Sequence, residues 1–232
     1  MCKPCIIKWL SRISSIDKLN VRPIFATMLW YQKIPLWFQK LFPGKTWRKE
    51  TKQKAVYLTF DDGPHPEITD WVITALNKHG MKGTFFCVGD NARKYPEVLE
   101  KLKQNGHALG NHTMHHLKGW QTTKDVYLKD VEMCAKYVDS TLFRPPYGRI
   151  SRSQSKAIEK NYQIIMWNLL SCDFNPKLNR QKALEGLMRK TSNGSIIVFH
   201  DSEKAEQNLK FMLPPYLDYL NQNGYTCNTL FS

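Results

Sequence analysis

The chain has 232 residues, of which 42% are hydrophobic, 12% aromatic and 23% charged. That is enough for one large domain with its own core, and it excludes disordered, collagen-like and disulfide-stapled classes. Lysine and arginine total 34 against 20 acidic residues, a net charge of +14, which taken whole points toward nucleic acid, an anionic membrane or an anionic glycan as partner.

The surplus is local. Residues 1–54 carry 12 bases and only two acids, Asp17 and Glu50, whereas residues 55–232 carry 22 bases and 18 acids. An asymmetry this sharp sets a boundary near Lys54, with a basic, aromatic-rich extension over 1–54 and a domain over 55–232. In the extension, Cys2 and Cys5 read C-K-P-C. Neither a strand-to-helix context nor a second pair accompanies them, so loose terminal thiols are expected there. Lys8 interrupts the run from Ile6 to Leu10, so a secretion signal is not expected there. The longest apolar-leaning run, Pro23 to Tyr31, is well short of the roughly 20 residues of a spanning helix. The expectation from these features is a cytoplasmic or peripherally membrane-associated chain. Trp30, Trp37 and Phe38 beside Lys33 and Lys40 suit either peripheral membrane contact through residues 1–54 or packing against the amino-terminal end of the domain, and packing is the favoured reading. Cys87, Cys134, Cys172 and Cys227 stand singly among apolar neighbours, as buried thiols do.

From Ala55 onward short β-type runs alternate with helix-type segments. Strands are expected at Ala55–Phe60, Gly83–Val88, His107–Asn111, Thr141–Arg144, Gln163–Leu169, Ser195–His200 and Tyr225–Leu230. Their successive apolar positions fit strands buried on both faces. Between them Ile68, Trp71, Val72, Ala75 and Leu76 follow helical spacing, as do Tyr95, Val98, Leu99 and Leu102, and Gly80, Gly106, Gly194 and Gly224 punctuate element ends. The order predicts an α/β fold with a parallel sheet, a deformed (β/α) barrel of about seven strands, with an open doubly wound sheet as the alternative. In either architecture ligands gather at the carboxyl ends of the strands.

The polar residues collect at those ends. Asp61 and Asp62 follow the first run in T-F-D-D-G-P, where Gly63 and Pro64 force a turn; one carboxylate can take a metal while the other faces bound water. His112 and His116 in H-T-M-H-H have the spacing of four that puts two imidazoles on one side of a helical turn, with His115 about 100° away. Arg144 is held by two prolines in F-R-P-P-Y-G-R, as an orienting partner for a carboxylate. Asp173 and His200 close two later runs, and a carboxylate bonded to an imidazole keeps it protonated, as a general acid requires. Two nitrogens and one oxygen leave metal positions open for water and substrate, the pattern of a catalytic zinc-type site.

The order T-F-D-D-G-P, H-T-x-x-H, R-P-P-Y-G, a strand followed by Asp173, and V-x-H, spread from about Val56 to Asp201, resembles the polysaccharide deacetylase family, also called the NodB homology domain or carbohydrate esterase family 4. The resemblance implies metal-dependent removal of acetyl groups, N-acetyl first, from glycans containing N-acetylglucosamine such as chitooligosaccharide or peptidoglycan. Carried over by position, it makes Asp61 the base, Asp62, His112 and His116 the ligands of a divalent metal (zinc, with cobalt, nickel or manganese as substitutes), Arg144 the brace of Asp61, and His200 the acid tuned by Asp173. Tyr147 would bind the oxyanion through its backbone, with Pro146, Phe174 and Trp167 on the substrate side. Leu170 and Phe174 stand where the family's fourth motif has Asp and Trp, which bears on the groove wall more than on the chemistry. The rival readings are a glycan-binding barrel without turnover, an O-acetyl esterase acting on a plant or cell-wall glycan, and, from charge alone, a nucleic-acid protein; no recognisable nucleic-acid motif supports the last.

Overall fold

A computed structural model describes residues 32–231. In chain order the elements are α1 (Leu36–Gln39), β1 (Lys45–Thr46), β2 (Ala55–Asp61), α2 (Pro66–Lys78), β3 (Gly83–Cys87), α3 (Gly89–Lys94), α4 (Pro96–Gln104) and β4 (Ala108–Asn111). They continue with α5 (Lys124–Ala135), β5 (Leu142–Phe143), α6 (Arg152–Ile158), β6 (Gln163–Ile165), β7 (Leu169–Leu170), α7 (Arg180–Lys190), β8 (Ile196–His200), α8 (Glu206–Gln222) and β9 (Thr226–Cys227).

The strands pair in the order β1-β6-β5-β4-β3-β2-β8-β7, with β9 added to β2, and every pairing is parallel. This is a parallel half-barrel flanked by helices. β2 is buried along its whole length, which is why its apolar residues run without alternation. Helix α2 turns Ile68, Val72, Ile73 and Leu76 inward, and α4 turns Val98, Leu99 and Leu102 inward. Phe60 stacks between Phe85 and Phe199 in the core under the site. Gly80, Gly106, Gly194 and Gly224 all have positive φ, the conformation that lets them end their elements. Cys87, Cys134, Cys172 and Cys227 are free and buried. No helix among the described residues is long and apolar enough to cross a membrane.

The run Gln163–Leu169 is not one strand. β6 pairs with β5 and β7 with β8, and the chain between them leaves the ladder. The cause lies elsewhere in the sequence: the Arg144 side chain takes the carbonyls of Ile165 and Met166, at 3.3 and 3.0 Å.

The change of charge at Lys54 does not coincide with a change of packing, because residues 32–54 lie in the same compact unit as the rest of the described chain. They span the gap between β6 and β7. Lys33 bridges Leu169, the N–H of Ile34 donates to Asn168, β1 pairs with β6, and Arg48 bridges Ser195. Ile34, Phe38 and Trp47 are buried in this closure, while Leu36 and Trp37 remain exposed. Cys2, Cys5 and Trp30 lie outside the described residues.

Candidate active site

The site forms where β2, β4, β7 and β8 end. Asp61 is the last residue of β2 and is 4% exposed. Arg144, which follows β5 and is fully buried, donates from Nη1 to Asp61 Oδ1 at 2.6 Å and to Thr59 Oγ1 at 2.7 Å. Its guanidinium lies 4.1 Å from the centre of the Phe86 ring. With Nε and Nη2 bonded to main-chain carbonyls, Arg144 has no freedom to leave Asp61. Burial lowers the Arg144 pKa and Asp61 raises it in return, and the group stays charged.

Asp62 diverges from Asp61 because its φ is +79°. Its Oδ1 lies 3.1 Å from His116 Nε2 and 3.7 Å from His112 Nε2. The histidines reach it from a loop that is not helical: Thr113 and His116 have φ of +63° and +55°. The spacing of four therefore works through a left-handed turn. His112 donates from Nδ1 to the Arg144 carbonyl at 2.7 Å, which fixes the ring and turns Nε2 toward Asp62. Burial drives the His112 pKa down to about 4, so the imidazole is neutral. Burial pushes the Asp62 pKa up, but the hydrogen bond from His116 and the charges of His200, His116 and His112 outweigh it and hold the carboxyl below the ordinary range. Donor atoms of Asp62, His112 and His116 all lie within 4.8 Å of one another. A carboxylate oxygen and two imidazole nitrogens, one oriented by a main-chain carbonyl, fit a divalent metal of the zinc type.

Across the site, His200 ends β8. Asp173, fully buried, accepts from His200 Nδ1 at 2.7 Å and from the His200 main-chain N–H at 2.8 Å. Burial works to lower the His200 pKa, but Asp173, through charge and hydrogen bond, and then Asp62 and Asp61 raise it to about 9. Phe174 meets the His200 ring edge-on at 5.2 Å. Tyr147, at φ +59° and 43% exposed, lies 4.7 Å from the His116 ring. Pro146 and Trp167 are buried instead. The Trp167 ring is packed where a side chain on Gly148 would collide with it and 5.8 Å from the Arg144 guanidinium, so it supports the floor of the site.

Three further residues support the site; Asp201 and Asp130 lie outside the quoted motifs, and Thr59 opens T-F-D-D-G-P. Asp201 accepts from the Gly63 N–H at 3.1 Å and from Thr69 Oγ1 at 2.5 Å, and its own N–H donates to the Asp61 carbonyl at 3.1 Å. It thereby clamps the turn bearing both aspartates, and a β-carbon on Gly63 would strike its carboxylate. Burial raises the Asp201 pKa to about 7. Asp130 on α5 accepts the N–H groups of Met114 and His115 and the His115 Nδ1, at 2.9, 3.1 and 2.5 Å, bracing the histidine loop. Thr59 joins Arg144 to the Ile197 carbonyl. Asp201 follows His200 directly, the only sequence cue to its place; Asp130 reads as a polar face of an amphipathic helix.

A parallel half-barrel with a carboxylate–imidazole–imidazole cluster and two buried ion pairs at its carboxyl end is the frame of a hydrolase. The family model described as polysaccharide deacetylase matches residues 48–164, and the chain belongs to that family of enzymes. A peptidoglycan-N-acetylglucosamine deacetylase of Bacillus cereus is 31% identical over 154 residues, 63% of this chain, and the match spans 56% of that relative's length. A chitooligosaccharide deacetylase of Azorhizobium caulinodans is 30% identical over 68% of this chain and 79% of its own. The crystal structure of the Bc1960 peptidoglycan N-acetylglucosamine deacetylase, in complex with an N-hydroxybenzamide, superposes with a TM-score of 0.76 at 26% identity, over 85% of this chain and 95% of that one.

Proposed function

We propose that the protein hydrolyses the acetamide of N-acetylated glycans containing N-acetylglucosamine, of the chitooligosaccharide or peptidoglycan type, releasing acetate and a free amine. The observation that supports this most is the convergence of the Asp62–His112–His116 cluster with two oppositely arranged ion pairs, Asp61–Arg144 and His200–Asp173. The names of the relatives above point to the same bond and the same substrates.

Asp62, His112 and His116 would hold the divalent metal, zinc first. When bound, such an ion polarises a carbonyl and acidifies water. Asp61 takes a proton from the attacking water; Arg144 occupies its Oδ1, which leaves Oδ2 as the acceptor. The Tyr147 main-chain N–H, on the rigid Pro145–Pro146 turn, stabilises the oxyanion. His200 delivers a proton from Nε2 to the leaving nitrogen, since Nδ1 is committed to Asp173. The C–N bond then breaks with a neutral amine as leaving group.

Acetate release from chitin oligomers, peptidoglycan and acetylxylan, before and after chelation and zinc add-back, tests the proposal. Release from the two N-acetylated glycans that is abolished by chelation and restored by zinc is the expected result. Turnover indifferent to a chelator overturns the metal role, and release from acetylxylan alone would make the protein an ester hydrolase.

A further inference from the structure

Three cations stand at the mouth of the site without a carboxylate partner. Lys118 Nζ lies 5.4 Å above the centre of the Tyr147 ring, and that ring is itself 4.7 Å from His116. The Arg149 guanidinium sits 5.5 Å over Trp120, with its Nε buried and lacking a hydrogen-bond partner. On the opposite flank Lys204 Nζ is 5.8 Å from the Phe174 ring, which is 5.2 Å from His200. Among the described residues none of the three forms an ion pair. The acidic groups of adjoining elements are engaged elsewhere: Glu203 faces His65, Glu206 holds Lys210, Asp90 meets Arg93 and His115, and Asp173 holds His200.

An aromatic face holds a cation in place without neutralising it, so its field persists in the mouth. A neutral sugar ring needs only the aromatic surface and makes no use of that charge. The arrangement therefore fits a substrate whose sugars carry negative groups on both sides of the reacting acetamide.

We infer that Lys118, Arg149 and Lys204 form an anion-selecting rim, and that the preferred substrate is an N-acetylated glycan with oxyanion substituents, carboxylate or phosphate, on the sugars flanking the one deacetylated. This rests on the deacetylase reading of the site and adds to it the charge class of the substrate. The rim acts on binding, with Lys118 and Lys204 each one ring removed from His116 and His200 respectively, and Arg149 two residues from Tyr147.

The test uses the full chain loaded with zinc and three oligosaccharides of equal length: a neutral N-acetylglucosamine oligomer, one bearing carboxylates on alternate sugars, and one bearing phosphate monoesters there. At low ionic strength kcat/KM for at least one anionic substrate should exceed that for the neutral one by about ten- to a hundredfold, with roughly two- to five-fold contributed by each cation, and the difference should shrink as salt rises. The ratio should fall toward one in the triple variant Lys118→Gln, Arg149→Gln, Lys204→Gln. Which anionic arm gains identifies the substituent. Equal kcat/KM for all three sugars, or a preference that survives in the triple variant, overturns the rim. Equilibrium binding of the same sugars separates this from failure of the parent reading. If nothing is turned over but the anionic sugar binds more tightly and loses that advantage in the triple variant, the rim stands and the deacetylase reading falls. Equal binding of all three by an inactive protein ends both.

Discussion

The two ion pairs of the site are opposites. In Arg144–Asp61 the buried brace is the cation and the group proposed to react is the carboxylate; in His200–Asp173 the buried brace is the carboxylate and the reacting group is the cation. In each, the brace is fully buried and the reacting partner retains slight access. The brace also makes further hydrogen bonds to main chain: Arg144 to Ile165 and Met166, Asp173 to the N–H of His200. Placement of charge in a dry frame thus serves proton removal on one side and proton delivery on the other.

Asp61→Asn tests the first pair hardest. Turnover should fall by about 10²–10⁴, the usual worth of a general base, while zinc binding, followed by equilibrium dialysis, persists. Loss of zinc would instead make Asp61 a ligand. Arg144→Met removes the brace and leaves Asp61 buried without its partner; urea unfolding should report a loss of about 3–5 kcal/mol. A loss below 1 kcal/mol would mean that Asp61 is hydrated and the pair is not the dry brace its burial indicates.

Asp173→Asn is the matching change in the second pair. The His200 pKa, raised to about 9, makes the pair stabilise the fold below the ordinary histidine pKa, and that contribution fades as pH rises through about 9. Without the Asp173 charge, burial prevails and the pKa drops. The alkaline limb of the kcat profile should therefore move to lower pH by about one unit or more. An unmoved limb would assign it to another group. The smallest effect is expected at Asp201→Ala, which removes a side chain that touches neither pair and orphans the Gly63 N–H and the Thr69 hydroxyl while keeping the main-chain bond to Asp61. It should cost about 1–3 kcal/mol in thermal unfolding, and relaxation of the turn should weaken zinc binding as well.

The pairs themselves were legible in the sequence, because Asp61, Arg144, Asp173 and His200 each stand beside an apolar run that ends at the same face of the sheet. Helix α2 was equally legible from the spacing of Ile68, Val72 and Leu76. What the pattern could not show depends on contacts distant in sequence. The apolar run from Gln163 to Leu169 contains no sign that Arg144 captures two of its carbonyls. Lys45–Thr46 is too short for any periodicity, so its role as a strand appears only beside β6. The spacing of His112 and His116 suggested a helical turn, whereas the turn is left-handed at Thr113 and His116; histidine is a type enriched at positive φ, but β-branched Thr113 gives no such sign.

The closure made by residues 32–49 also bears on the order in which the protein assembles. Arg48 and the Lys49 main chain pair with Gly194 and Ser195, and Lys49 Nζ reaches the carbonyl of Leu230, 181 residues away. Contacts of such separation form late, because the loop they close must be ordered first. During synthesis this early segment waits, its Phe38 and Trp47 without their final cover, until nearly the whole domain has emerged.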